Sequence, residues 1–353
     1  MLSRSILFAA SLSAAATPAF SQNFNATYSS PVLDRWMYPF NFSAGTESRA
    51  SLFAALNQPG FDDRDGELLV GFNTNAEIPT GMGRLRYKLL SATLSVFVEN
   101  DNEFYYDPSA DPLASSFDSS DPEYVADSDP SKPIEVWAAG YRNGFSAATF
   151  QENSPFGGTP VVQPAQQARN VFPALLDNAQ NATDVALQVR QKLAANPMAL
   201  ARLSDENSAE LTPGTLVPQG TEVRFSLTNV SSANYVYLQN ALNSGLVRLL
   251  VTTLEPTSGG PGGGTGGVTY PRIYTKENAV SSLGFAPRLS LEVAITCAAD
   301  FNGDNVVDDA DFSLFVGAYN ELLDARCDLN GDNVTDDADF SLFVAAYDQL
   351  LCD

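Results

Sequence analysis

The chain has 353 residues, of which 44% are apolar and 17% charged, a formal net charge of −23 and no histidine. Without histidine, Ser-His-Asp catalysis, Cys-His catalysis and histidine-ligated zinc are excluded. The acidic excess makes nucleic acid and anionic membrane surfaces poor partners. The length is sufficient for one large or two medium domains together with a small module.

Residues 1–21 have the pattern of a secretory signal peptide. Arg4 precedes an apolar run that begins at Ile6, and Ala19-Phe20-Ser21 provides small residues for cleavage. We expect cleavage before Gln22 and export of the mature protein, either secreted or held at the cell surface. No later stretch is long and apolar enough to cross a bilayer, so membrane insertion is not expected.

Residues 22–296 are predicted to form a mainly β domain. The aromatic cluster at 34–40 is expected to cap or enter a β-sandwich. Two helices are predicted, one at 184–203 that Pro197 interrupts and one at 233–243 that Gly245 closes. Apolar and β-branched runs predict strands at residues 67–72, 88–99, 134–139, 147–150, 221–228, 246–254 and 289–296.

Two stretches of this domain are predicted to be loops. Residues 100–132 are rich in Asp, Ser and Pro and have no helical or strand period. Their carboxylates are candidates for a further cation, although a solvated loop is the favoured interpretation. Residues 258–268 form a flexible glycine-rich loop. Because residues 274–278 and 287–293 are expected to join the same sheet as the earlier strands, this loop is not predicted to be a domain boundary.

The C-terminal stretch contains an internal repeat. Residues 300–320 recur as 328–348, 28 residues later, with 17 of 21 positions identical. Oxygen-bearing side chains lie at loop positions 1, 3, 5, 9 and 12, and position 7 offers a backbone carbonyl, a spacing that suits calcium. The predicted ligands are Asp300, Asn302, Asp304, Val306, Asp308 and Asp311 in the first copy and Asp328, Asn330, Asp332, Val334, Asp336 and Asp339 in the second.

Each loop continues into an apolar pattern at i, i+3, i+4 and i+7, which begins at Phe312 and Phe340 and predicts one helix per copy. Residues 297–353 carry a charge of −13, with Arg326 as their one cation, and the rest of the chain carries −10. Without bound cations this segment would repel itself, so calcium is expected to be coupled to its folding. Two calcium ions with a structural role are therefore predicted.

Two in-phase loops, each followed by a helix, resemble a type I dockerin over residues 297–353. The resemblance implies a small α-helical, EF-hand-like module that attaches to a cohesin-like protein or another surface partner. Asn305 and Asn333 stand at position 6, where glycine is usual, and asparagine also tolerates a left-handed backbone. Positions 10 and 11 are Asp-Ala in both copies rather than the Ser-Thr type pair of cellulosomal dockerins, which weakens the case for a clostridial-type cohesin.

Three cysteines border the repeats, and in an exported protein a disulfide is the default. Because dockerin termini usually lie side by side, the resemblance implies a bridge between Cys297 and Cys352 that leaves Cys327 over. A bridge between Cys327 and Cys352 is the alternative.

The upstream domain is similar to the DNRLRE-type β-sandwich modules of secreted bacterial proteins. The resemblance is carried by a strand followed by Ile-Pro-x-Gly at 78–81, by SATLSV at 91–96, by YTKEN at 274–278 and by PRLSLEV at 287–293. It implies a large jelly-roll-like β-sandwich over residues 22–296, a fold that in some members binds polysaccharide. The predicted fold class is therefore mainly β, with a small α-helical calcium module after the sandwich.

The favoured function is an exported, non-catalytic, calcium-binding protein whose C-terminal module attaches a sandwich to its partner. If the sandwich binds polysaccharide, exposed aromatic rings must stack on the sugar faces. The candidate residues are Trp36, Tyr38, Tyr105, Tyr106, Trp137 and Tyr141, although Trp and Tyr more often lie in cores or at their rims.

Two alternatives remain open. One is a glycoside hydrolase, acting on O-glycosyl bonds, or a polysaccharide lyase, because dockerins are often appended to such enzymes. Hydrolysis needs two carboxylates that flank a cleft, and no spacing singles out a pair among Glu67, Glu99, Glu103 and Glu135. The other alternative is a structural protein of the cell surface or matrix.

Overall fold

The chain divides into two compact units in the computed structural model. Asn23–Ile295 forms one, which we call the β unit, and Thr296–Asp353 belongs to the other, which we call the repeat unit. The structure describes residues 22–41, 43–58, 60–129, 131–157, 169–257, 270–297, 299–302, 307–320, 327–329 and 334–349. The predicted signal peptide and the glycine-rich loop at 258–268 lie outside the described residues.

The described part of the protein is mainly β, with 32% strand and 16% helix. The β unit contains helix α1, Ser232–Ser244. The strands are β1 Gln22–Tyr28, β2 Leu33–Met37, β3 Arg49–Ser51, β4 Phe53–Ala54, β5 Arg64–Asn73, β6 Tyr87–Phe97, β7 Ile134–Tyr141, β8 Val171–Leu176, β9 Ala182–Asp184, β10 Ala199–Leu200, β11 Arg202–Ser204, β12 Glu222–Ser226, β13 Leu246–Thr253, β14 Arg272–Tyr274 and β15 Arg288–Ile295.

The strands form two main antiparallel sheets. One has the order β1-β15-β6-β12-β11, and the larger has the order β2-β5-β13-β7-β8-β9, with β10 beside β7 and β4 beside β5. Strands β14 and β3 form a separate pair. Leu94 and Leu289 from the first sheet lie in the same buried core as Val70 and Leu249 from the second. This shared core is consistent with a β-sandwich.

The larger sheet is buried on both faces. Side chains alternate between the two faces of a strand, so Val70 of β5 enters the main core while Leu69 points the other way. Leu69 packs in a second cluster with Phe150 and Phe156, which come from the segment that follows β7. This cover explains why β5 has a continuous apolar run rather than an alternating one.

Most predicted elements of the β unit are confirmed, with ends that differ by a few residues. Strands are present at 67–72, 88–99, 134–139, 221–228, 246–254 and 289–296. Helix α1 is also confirmed. Its N-cap is Ser231, and Gly245 closes it with a left-handed backbone at φ 73°, where its N–H donates to the carbonyls of Ala241 and Leu242.

The predicted strand at 147–150 is wrong. The backbone N–H groups of Thr149 and Phe150 both donate to the carbonyl of Ser146, which makes a tight turn. Phe150, the large apolar residue of this stretch, packs on the outer face of the larger sheet. A short apolar run therefore covers a sheet instead of extending it.

The predicted helix at 184–203 is also wrong. This stretch contains turns and the short strands β10 and β11. Lys192 has a left-handed backbone at φ 49°, which interrupts a helix. The Met198 N–H donates to the Val136 carbonyl at 2.9 Å, and Ala199 pairs with Val136 in register. Pairing with the edge of β7 has overridden the local helical preference.

The two predicted loops have different outcomes. Residues 100–132 contain only an isolated bridge from Tyr105 to Leu216 and a 3-10 turn, Leu113–Ser116, within their described part, so that loop is confirmed. The β unit continues past the glycine-rich loop, as predicted. The expectation of a single sheet is wrong, because β14 pairs with β3 and β15 pairs with β6.

No helix among the described residues is long and apolar enough to span a bilayer.

Candidate calcium loops and carboxylate clusters

The repeat unit contains one helix after each repeated loop, as predicted, and each helix begins three residues before the predicted apolar pattern. They are α2, Asp309–Tyr319, and α3, Asp337–Gln349. Asp308 caps α2, because its side chain accepts from the Ala310 N–H at 2.8 Å. Asp336 makes the same bond to the Ala338 N–H at 2.8 Å in the second copy. Loop position 9 therefore also initiates each helix.

The structure describes eight of the twelve predicted calcium ligands. Four lie outside the described residues, namely Asp304, Val306, Asn330 and Asp332. The eight are Asp300, Asn302, Asp308, Asp311, Asp328, Val334, Asp336 and Asp339. Among these, Asp328 at position 1 is 2% exposed, whereas Val334 at position 7 is an exposed side chain whose backbone carbonyl is the predicted ligand.

The position-12 carboxylates are fully buried in both copies. Asp311 and Asp339 have 0% exposure. Asp311 Oδ2 accepts from the Asp308 N–H at 3.0 Å, and Asp339 Oδ2 accepts from the Asp336 N–H at 2.9 Å. In the first copy, Asp311 Oδ1 also accepts from the Asn302 N–H at 2.9 Å. In the first copy, the position-12 side chain thus connects loop positions 3 and 9, which are themselves predicted ligands.

The residues present fit a hard divalent cation. The donors at these positions are carboxylate, amide and carbonyl oxygens, which calcium prefers. Burying carboxylates is costly unless a cation compensates their charge. The sequence of residues 297–353 supplies only Arg326 for this purpose. A cation bound from solution would supply the missing positive charge.

The two copies pack through a shared aromatic core. Phe315 and Phe343 occupy equivalent positions and stack at 4.4 Å between ring centroids with an interplanar angle of 18°. Both are fully buried, and full burial of such a side chain contributes about 1.5–3 kcal/mol. Phe301 meets both rings edge-on. One copy alone would leave this face exposed, so the duplication completes the core.

Reciprocal hydrogen bonds also join the copies. The Tyr319 hydroxyl donates to Asp337 Oδ1 at 2.9 Å, and the Tyr347 hydroxyl donates to Asp309 Oδ1. Asp309 and Asp337 both stand at loop position 10, so each copy contacts the start of the other copy's helix. The two copies, which are nearly identical in sequence, therefore make equivalent hydrogen bonds to each other.

The described cysteines differ in their chemical state. Cys297 is disulfide-bonded. Cys327 is a fully buried thiol that contacts the Phe315 carbonyl at 3.7 Å and lies in the aromatic core. Cys352 lies outside the described residues.

Two of the six candidate aromatic platforms are buried, and a third is half-buried. Tyr106 and Trp137 are each 1% exposed. The Tyr106 hydroxyl donates to Glu210 at 2.7 Å, and the Trp137 indole N–H donates to Glu135 at 2.9 Å. Tyr141 is half-buried beside Phe150, and burial raises the pKa of its hydroxyl. Tyr106 and Trp137 are therefore core residues without a face for a sugar ring.

Of the other three candidates, two are half-buried and one is exposed. Trp36 and Tyr38 are half-buried and stack on each other at 4.7 Å with an interplanar angle of 19°. Burial beside Asp65 raises the pKa of the Tyr38 hydroxyl to about 12. Tyr105 is 44% exposed. Of the six rings, Tyr105 has the greatest exposure to solvent.

All four glutamates considered for glycoside hydrolysis contact arginine. Glu67 is fully buried and bonded to Arg169 at 2.9 Å, and Glu135 contacts Arg64 at 2.6 Å. Arg272 contacts both Glu99, at 3.1 Å, and Glu103, at 3.0 Å. Each of the four carboxylates is therefore engaged in an ion pair.

A buried ionic cluster at the start of β5 was not predicted from the sequence. Arg169, which is 0% exposed, contacts Asp62 Oδ2 at 2.6 Å and Glu67 Oε1 at 2.9 Å, and donates to the Arg64 carbonyl. Burial raises the pKa of Glu67 to about 8 and that of nearby Asp65 to about 7, although Arg169 opposes both shifts. The available signal was the run of five charged residues within 62–67, directly before an apolar run.

A cleft of about 600 Å³ opens beside this cluster. Its walls include the paired side chains of Arg64 and Glu135, together with Asp111 and Lys132. The described residues that line it include no aromatic ring, so it does not suit stacking on a pyranose face. A second cleft, of about 630 Å³, is lined by Phe150 and Glu152 among others.

Two groups of three carboxylates could hold a metal ion in the described part of the β unit. One contains Asp34, Glu152 and Glu277, but the Lys276 ammonium lies among them, at 3.1 Å from Asp34 Oδ1 and 3.5 Å from Glu277. That lysine already provides the compensating charge. The other group contains Asp107, Asp111 and Asp129.

No protein-family model matches this chain, and no curated protein matches it significantly. Assignment of a function therefore depends on the residues and contacts described above.

Proposed function

We propose that this chain is an exported, non-catalytic, calcium-binding protein. In this proposal, residues 297–353 form a dockerin-like module that binds two calcium ions and attaches a jelly-roll-like β-sandwich to a surface partner. The observation that carries it is the matched burial of Asp311 and Asp339 at position 12 of both loops. Each accepts a hydrogen bond from the backbone of position 9, in a segment that has one arginine and fourteen acidic residues.

Calcium would act on folding rather than on chemistry. Bound at oxygen ligands, it supplies positive charge and fixes the loop that precedes each helix. Asp308 and Asp336 orient the helix starts, and Phe315 and Phe343 join the two helices. Removal of calcium would leave the buried carboxylates uncompensated, so the helices would lose their loop anchors.

An attachment role is supported by apolar side chains that repeat on the surface. Leu314 and Leu342 occupy equivalent positions of α2 and α3 and are 47% and 46% exposed. Such exposed pairs favour a protein partner, either cohesin-like or another surface protein. The position-10 residues Asp309 and Asp337 accept from tyrosine hydroxyls, so they are less available to a partner than a free Ser-Thr pair would be.

Calcium titration of residues 297–353 tests the proposal. We expect a gain of helical circular dichroism and uptake of about two equivalents of Ca²⁺, both reversed by a chelator. Asp300→Ala combined with Asp328→Ala should abolish uptake. Asp324→Ala combined with Asp353→Ala removes the same charge outside both loop patterns and should not. Unchanged calcium uptake in the first double variant would show that the ligand assignment is wrong.

If the β unit also binds polysaccharide, Tyr105 is the ring that we expect to stack on the sugar, because it is the most exposed of the six candidates. A glycan array with the full chain in calcium would identify a ligand. Tyr105→Ala should then weaken binding, whereas Tyr106→Phe, which changes a buried hydroxyl, should not. An array without any bound glycan would show that the β unit does not bind polysaccharide, and this result would not bear on the calcium module.

A further inference from the structure

Three carboxylates of the 100–132 loop lie together, although up to 22 residues separate them in the chain. One oxygen each from Asp107, Asp111 and Asp129 lies within 4.8 Å of the others. We call this group the Asp107 cluster. Asp107 is 5% exposed, Asp111 is half-buried and Asp129 is exposed. The cluster is therefore closed at its Asp107 end and open to solvent at its Asp129 end.

Asp107 has one oxygen that no described group satisfies. Its Oδ1 accepts from the Ser109 N–H at 2.7 Å and from the Ser109 hydroxyl at 2.5 Å. Its Oδ2 is buried and accepts no hydrogen bond from any described residue. A buried acceptor left without a donor costs about 1–3 kcal/mol, and more when it is charged. A cation at Oδ2 would remove this cost.

The charge around Asp107 is acidic. Burial raises its pKa, the two Ser109 bonds oppose the shift, and the charges of Asp129 and Asp127 raise the pKa further. Lys132 is the ammonium group nearest to the cluster among the described contacts. Its Nζ lies 2.8 Å from Asp111 Oδ2 and also contacts Asp127. The Lys132 ammonium therefore offsets the charge of Asp111 and Asp127. Among the described contacts, no ammonium offsets the charge of Asp107 or Asp129.

A further carboxylate adds to this imbalance. Glu255 Oε2 accepts from the Ser131 hydroxyl at 2.7 Å and from the Lys132 backbone N–H at 2.8 Å. Burial raises the pKa of Glu255, and the charge of Asp107 raises it further. Five carboxyl groups, counting Asp127 and Glu255, thus share one ammonium in this part of the β unit.

We propose that Asp107, Asp111 and Asp129 bind a calcium ion, at a site separate from the two C-terminal loops. The three carboxylates each offer one oxygen, and solvent can complete the shell at the open Asp129 end. Calcium accepts such an irregular set, whereas Mg²⁺ demands a near-ideal octahedron. The absence of histidine or cysteine in the cluster disfavours zinc and copper.

The ion would connect the two ends of a long irregular segment. Asp107 and Asp111 lie near its start and Asp129 near its end, so one ion closes the loop between them. With three carboxylates and an open face, we expect an affinity in the range of extracellular calcium modules, with a dissociation constant of about 0.1–1 mM.

The test uses the full chain with both repeat loops disabled by Asp300→Ala and Asp328→Ala. Equilibrium dialysis against CaCl₂ should show about one bound Ca²⁺ in this background. Adding Asp129→Asn should abolish that binding, and because Asp129 is exposed, the β unit should remain folded. Asp118→Asn is the matched control, since Asp118 is an exposed carboxylate of the same segment that bonds only to Ser120 among described groups. It should leave the bound calcium unchanged.

Limited proteolysis supplies an independent readout. Calcium should slow cleavage within residues 107–129 of the background variant, and this protection should be lost with Asp129→Asn or Asp107→Asn. MgCl₂ at equal concentration should protect less. Equal calcium binding with and without Asp129→Asn, or no binding at about 5 mM CaCl₂, well above the expected dissociation constant, would overturn the proposal. Because the repeat loops are disabled throughout, failure of the calcium module would not alter these results.

Discussion

The β unit and the repeat unit both bury carboxylates, and they provide different partners for them. In the β unit, arginines meet the acids directly, as Arg169 does at 2.6 Å from Asp62 and 2.9 Å from Glu67. In the repeat unit, Asp311 and Asp339 accept from backbone N–H groups. Backbone bonds stabilise a carboxylate but add no formal charge, so the repeat unit retains its negative charge.

This difference leads to a prediction of what each unit needs in order to fold. An arginine is part of the chain and is present whenever the chain folds. A calcium ion must come from solution, so the stability of a unit that depends on it rises with calcium concentration. We therefore expect the β unit to fold with or without calcium and the repeat unit to fold only with it.

The largest expected effect is the loss of the buried arginine. Arg169→Met leaves Asp62 and Glu67 buried without their ion pair, which should lower the free energy of unfolding by about 3–5 kcal/mol. Urea unfolding followed by tryptophan fluorescence measures it, since both tryptophans, Trp36 and Trp137, lie in the β unit. Calcium should not restore the loss.

The matched control is Arg202→Met, which removes an exposed ion pair with Glu210 at 3.3 Å. Exposed pairs contribute about 0–1 kcal/mol, so this variant should unfold almost as the parent does. If the two variants lost equal stability, the buried pairs would not be the feature that distinguishes the β unit.

A smaller effect is expected from the protonation of Asp65. Its pKa is raised from 3.8 to about 7, mainly by burial, so the folded state binds a proton that the unfolded state releases. Stability from this proton is fully present below the unfolded pKa and is lost as the pH rises to the folded pKa. At about 1.4 kcal/mol per pKa unit, the loss between pH 5.5 and pH 8 is about 2 kcal/mol.

Asp65→Asn should remove this dependence, because an amide has the shape of the protonated acid and does not titrate. The difference in unfolding free energy between pH 5.5 and pH 8 should shrink by about 2 kcal/mol relative to the parent. Glu206→Gln, at an exposed position, should leave the difference as it is. An unchanged pH dependence in Asp65→Asn would show that Asp65 is ionised in the folded protein.

The smallest effect should come from the hydrogen bonds that link the copies of the repeat. Tyr319→Phe and Tyr347→Phe each remove a hydroxyl that donates to the partner copy, at Asp337 and Asp309 respectively. Both should lower the thermal midpoint of the helical signal slightly in saturating calcium. Because the two contacts are equivalent, the shifts should be similar, and unequal shifts would show that the copies are not interchangeable.

Local sequence patterns were sufficient where one short stretch determines the structure. Ser231 and Gly245 mark the two ends of α1, and the repeats mark the starts of α2 and α3. Local patterns were insufficient where packing against a distant strand determines the secondary structure. The turn at 147–150 packs on a sheet, and residues 199–200 pair with β7, so neither kept the structure that its local pattern predicted.

The sequence by itself predicted two calcium-type loops, and it determined the helices that follow them and the excess charge that a bound cation would offset. Each of these features depends only on the order of residues within one repeat, so it can be identified without knowing how the chain folds. Only the tertiary structure revealed that Arg169 meets Glu67 from 102 residues away and that Asp129 meets Asp107. Such contacts depend on how sheets and loops pack, so no local pattern encodes them.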